Sequence, residues 1–112
     1  MARVRTMYWK EVPVQVQAMD DSGPISRQLD DRFQKGVDSI SMFDGSSGTD
    51  GYLEAWEWGD YGDVEGSAEE AVSALAERLN IGFPHDFVAK IRDLHHSGER
   101  DPRPGAVDHW TK

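Results

Sequence analysis

The chain has 112 residues, no cysteine and a formal net charge of −9. That length suits one domain with a modest core, and the missing cysteine excludes disulfides, thiolate catalysis and cysteine-ligated metal. The acidic balance disfavours nucleic acid and anionic membrane as partners. No apolar run nears the roughly 18 residues of a membrane span, and the basic start Met1-Ala2-Arg3-Val4-Arg5 is not followed by the apolar stretch of a signal peptide. A soluble, cytoplasmic protein is therefore expected.

In chain order, Arg3 to Lys10 reads as a first strand, with Val4, Thr6 and Tyr8 on one face and Arg3, Arg5, Met7 and Trp9 on the other. Glu11-Val12-Pro13 is a short connection. Val14, Val16 and Ala18 then alternate with Gln15 and Gln17, predicting a second strand with one apolar and one amide-bearing face. Asp20 to Pro24 is loop by composition, and Ile25 to Gln28 either extends the ladder or leads onward. The stripe Leu29, Phe33, Val37 and Ile40 predicts a helix over about 30–42, where Gly36 would let the helix approach the sheet closely.

A glycine-rich loop, Asp44 to Gly51, leads to Tyr52-Leu53-Glu54-Ala55-Trp56-Glu57-Trp58-Gly59-Asp60-Tyr61, which holds two of the four tryptophans. Its aromatic content predicts a single strand on which the domain is assembled. Ser67-Ala68-Glu69-Glu70 matches a capping box at the start of a second helix, with Ala71, Val72, Leu75, Ala76 and Leu79 as its apolar side. A third helix is predicted from about Pro84 to His96, with Phe87, Val88, Ile91 and Leu94 inward. After Ser97 no periodicity remains, so one domain over 1–96 and a flexible tail over 97–112 are expected.

The expected fold is α+β, in the order β-β-α-β-α-α. It has a three-stranded antiparallel sheet of order 2-1-3 and three helices, the first covering the face of Tyr8, Val14 and Val16.

Two patterns bear on function. No lysine or arginine lies between Lys35 and Arg78, where acidic residues accumulate. This is either solubility or a face for a basic partner. In a single strand Tyr52, Trp56 and Trp58 would share one face with Trp9, Gln15 and Gln17. That face is either packed under helices or a binding surface with aromatic anchors. The candidate binding residues are accordingly Trp9, Gln15, Asp50, Tyr52, Trp56, Trp58 and Asp60, with Trp58 more exposed than Trp56. His85, His95, His96 and His109 lack the spacing of metal ligands, and the acidic loops do not fit a calcium-loop pattern. Gly45-Ser46-Ser47-Gly48 has no phosphate-loop lysine, and no serine sits in a nucleophile elbow. No catalytic residue, metal or cofactor is expected.

Three blocks are similar to the family known as the virulence factor domain: Tyr8 to Val16, Leu29 to Asp38 and Thr49 to Trp56. The resemblance covers about residues 7–95. The family usually carries Pro where Asp30 stands, Ala near Gly36, and a basic segment where this chain has Glu57-Trp58-Gly59-Asp60. The resemblance implies a domain that, in larger proteins, is joined to helical repeats and to a domain similar to iron–sulfur scaffold proteins. Stand-alone members accompany corrinoid and folate one-carbon enzymes. It implies no established activity. The expectation is a non-catalytic module that binds another protein, with a basic surface, through an aromatic and acidic face. The alternative is a cofactor- or small-molecule-binding accessory protein for one-carbon or iron–sulfur enzymes.

Overall fold

The computed structural model describes residues 2–111. Strand β1 is Ala2–Trp9 and β2 is Val12–Asp20, joined by the tight turn Lys10-Glu11. Lys10 has φ 51°, a left-handed conformation that costs a residue with a side chain. Its N–H is anchored on the Ala55 carbonyl at 3.2 Å. β3 is Gly23–Gln28, reached by a turn in which the Ser22 N–H donates to Asp20 Oδ1 at 2.8 Å. Helix α1, Asp31–Asp44, and the short helix α2, Asp50–Glu54, follow. Then come β4, Trp56–Trp58, and β5, Gly62–Val64. Helices α3, Ala68–Gly82, and α4, Phe87–Ser97, and a 3-10 turn at Asp108–Thr111 complete the chain.

The architecture is α+β, but the three-stranded sheet with three helices is overturned: among the described residues there are five strands and four α-helices. The sheet runs β3-β2-β1-β4, all antiparallel, and β5 pairs the other end of β1. β1 is thus flanked along one edge by β2 and along the other by two short strands in succession. β4 pairs Met7–Trp9 and β5 pairs Ala2–Val4.

The errors are local. Tyr52 and Leu53 lie on α2, because Thr49-Asp50-Gly51 begins a helical turn that aromatic content does not reveal. Strand preference reports a half-buried surface rather than a backbone rule. Gly59 then breaks the run. Its N–H still reaches the Thr6 carbonyl at 2.8 Å, and an added Cβ would lie 3.0 Å from the Tyr8 ring, so a side chain here would press on that ring. Ile25 to Gln28 belongs to a full edge strand.

The main layer against the sheet is α3, which packs on β1, β2 and β3, whereas the main strand contact of α1 is with β2; the first helix thus covers only part of the face expected of it, and α3 covers most. α3 starts at the predicted capping box: Ser67 accepts from the Glu70 N–H, and Glu70 reaches back to the Ser67 N–H. Asp20 adds a carboxylate to the Ala68 N–H at 2.7 Å, favourable at the positive end of the helix. At the other end Arg32 donates to the carbonyls of Asn80, Phe83 and Pro84, taking up acceptors the helix leaves free.

At Gly36 α1 meets α4, not the sheet. A Cβ at Gly36 would sit 2.4 Å from Phe87 Cζ, so Gly36 admits the Phe87 ring. Phe33, Phe83 and Phe87 pack mutually at 5.5–5.6 Å, and all three are buried. Residues 98–111, read as tail, are laid on the body. Val107 is buried, Trp110 packs on Phe83 at 6.2 Å, and Asp108 accepts a 2.5 Å hydrogen bond from the Tyr8 hydroxyl.

Candidate functional site

Alternation along β1 decides which face of the sheet is free. Ala2, Thr6 and Tyr8 point under the helices; Arg3, Arg5 and Met7 point away. Register carries the outward residues across the sheet in three rows. Asp63, Arg3, Met19 and Pro24 form one; Arg5, Gln17 and Ser26 the next; Trp58, Met7, Gln15 and Gln28 the third. Every residue of these rows is exposed or half-buried.

At the centre the Arg5 guanidinium lies over the Trp58 ring at 4.1 Å and over the Tyr61 ring at 4.6 Å, and Arg3 also stands 4.6 Å from the Tyr61 ring. Arg5 Nε donates to Gln17 Oε1 at 2.8 Å, and the Tyr61 hydroxyl donates to the same oxygen at 3.3 Å. A guanidinium held against aromatic rings by such contacts loses little entropy when its remaining N–H groups meet an acceptor. Arg5 could be placed here by alternation alone. Tyr61 could not: three positions beyond Trp58, it would fall on the opposite face of an unbroken strand. The break at Gly59-Asp60 brings it round.

The other candidates separate. Trp9 shares the parity of Arg5 and Met7, yet it is 0% exposed and is a core residue, not a contact surface. α2 closes over that end of the face. The Trp9 indole N–H donates to the Tyr52 carbonyl at 2.9 Å, and the Tyr52 ring lies 5.6 Å from Trp9 and 6.2 Å from Trp56. Trp56 packs against the core; Trp58 is not part of that packing, although both are half-buried. Gln15 joins Trp58 on the open rows. Asp50 is exposed in the first turn of α2, and Asp60 is exposed in the connection beside Tyr61. Glu57 pairs with Tyr8, which turns it to the other side of the sheet.

Sequence reasoning missed a buried ion network behind the Lys10-Glu11 turn. Arg100 makes a two-pronged contact with Glu11, Nε to Oε2 at 2.7 Å and Nη2 to Oε1 at 2.8 Å, and its Nη1 reaches Asp44 Oδ2 at 3.0 Å. Lys10 Nζ joins the same Asp44 oxygen at 2.7 Å and the Ser46 hydroxyl at 3.0 Å. The side chains of Glu11, Asp44 and Arg100 are 1%, 2% and 7% exposed. Burial by itself would raise the Asp44 pKa. Hydrogen bonds from Lys10, Ser46 and Arg100 outweigh it and hold the carboxyl well below its ordinary range. No spacing rule links Glu11 to an arginine 89 positions later, so no local signal could have found the pair. Opposed charges satisfy one another here, so the network reads as a pin for the segment after α4 rather than as reactive chemistry.

Among the described residues no group of three or more His, Asp or Glu side chains is arranged to hold a metal ion. His95 and His96 instead pack against Phe43, at 5.5 and 6.4 Å. No helix among the described residues is long and apolar enough to cross a membrane.

A family model described as virulence factor matches residues 7–91. Comparison with curated proteins and with solved structures gave no match.

Proposed function

The chain belongs to the virulence factor family, and from that premise we propose that it is a non-catalytic docking module whose partner is a protein seated on the open sheet face. The observation that carries this reading is the Trp58–Arg5–Tyr61 stack on rows that no helix covers. Large rings with a prepared arginine are what central contact residues of interfaces consist of. The polarity is split. Arg3 and Arg5 at the centre suit a carboxylate or carbonyl of the partner, and the exposed Asp60 and Asp63 at the rim suit its basic groups.

Quantitative co-purification from the native host, comparing wild type with Trp58→Ala and Arg5→Gln, tests the reading. Ile81→Ala, on an exposed side chain of α3 remote in sequence from the stack, serves as control. A partner retained by Ile81→Ala and lost by the first two variants, with unchanged circular dichroism, is the expected outcome. Equal retention by all three would overturn it.

A further inference from the structure

A sizeable concave feature lies away from the sheet. A groove of about 630 Å³ runs between one stripe of α4 (Lys90, Asp93, Leu94 and Ser97) and the returning segment that carries Glu99, Asp101, Val107 and Trp110. Its size is that of a ligand cleft, too large for a single ion. Leu94, Val107 and the Trp110 indole give it an apolar floor. Its rim is acidic. Asp101 is taken up by Arg103 at 2.6 Å, but among the described residues Asp93 and Glu99 pair with no cation. The groove also reaches the C-terminal end of α4, the negative end of the helix dipole. One cation is already drawn in: Lys90 Nζ stands 5.6 Å from the Trp110 ring centroid, within reach of the ring's negative face. Lys90 is an exposed, flexible side chain that can swing away and leave that face to a guest.

We propose that this groove receives a lysine or arginine side chain, with its flanking backbone, from a basic segment of a partner protein. An apolar floor takes the aliphatic stem, the indole and two unpaired carboxylates take the charged head, and the open ends pass the backbone. The site shares no residue with the open sheet face and does not depend on it.

The test is a titration of the full chain with a blocked Arg-Arg dipeptide amide, following the tryptophan indole N–H signals by NMR, with Trp110 assigned through Trp110→Phe. A saturable shift at Trp110 is expected. Asp93→Asn with Glu99→Gln should weaken it, by roughly threefold per charge removed. Lys90→Met, which removes the competing cation, should tighten it. Trp58→Ala should leave it unchanged, so failure here and failure of the docking reading can be told apart. The proposal is overturned by no saturable shift at millimolar peptide, by an equal response to a blocked Glu-Glu dipeptide, or by weakening in Lys90→Met. Agmatine binding as tightly as the dipeptide would overturn the peptide assignment in favour of a small-molecule site.

Discussion

Trp56 and Trp58 are two residues apart on the same short strand, point to the same side of the sheet, and have different fates. Trp56 lies beneath α2, with Tyr52 against it and the core behind. Trp58 lies two pairs further along β1, past the reach of that helix, and carries Arg5 on its ring. A five-residue helix is therefore what divides one aromatic face into a closed end and an open end. Chemical likeness says nothing of the division, because burial is set by what is packed above a side chain and not by the side chain itself.

The closed end also contains the ion network, and breaking it should produce the largest effect. Arg100→Ala leaves Glu11 buried without its cation and Asp44 with Lys10 alone, and should cost about 3–5 kcal/mol, measured as a shift of the urea midpoint. Truncation after Ser97 removes the same arginine together with Val107 and should be at least as damaging. A truncated chain as stable as the whole would mean that the segment only rests on the body.

The same network has a pH signature. Asp44 has a folded-state pKa below its unfolded value, so its contribution is fully present above about pH 4 and is lost as pH falls below that. Stability measured from pH 7 downward should decline in this acid range, and Asp44→Asn should flatten the decline while lowering stability at neutral pH. An identical acid limb in the variant would separate Asp44 from acid unfolding.

Trp56→Ala should cost about 3 kcal/mol, the low end for a large aromatic because the ring is only half-buried. Ser67→Ala, far from both ends, should cost about 0.5–2 kcal/mol through loss of the α3 cap, and gives a scale for a purely local change. Trp58→Ala should be the smallest, about 0.5–1 kcal/mol for the lost arginine contact. If thermal or urea denaturation reverses the order of the two tryptophan variants, the open end is core and the docking reading falls.

The strand alternation of Ala2 to Trp9, the stripe of Phe33, Val37 and Ile40, and the Ser67–Glu70 box were all legible in the chain, because each is a pattern between residues a few positions apart. From β1 alone the outward set Arg3, Arg5 and Met7 could be named. The candidate site was legible only in part: Gln15 and Trp58 lie on the open rows, as does Gln17, which was placed on that face but not among the candidates, Trp9 does not remain available, and Tyr61 completes the stack without having been singled out.

What the sequence by itself determined is thus the set of amphipathic pieces, a cysteine-free acidic chain and the family blocks between residues 7 and 91. What only the tertiary structure decided is which apolar and charged faces are closed. α2 over Trp9, Phe87 in the notch at Gly36, and Arg100 against Glu11 are each contacts across long stretches of chain. Periodicity records the direction of a side chain relative to its own element. It holds no information on which distant element arrives opposite, and that arrival fixes the difference between a core residue and a docking surface.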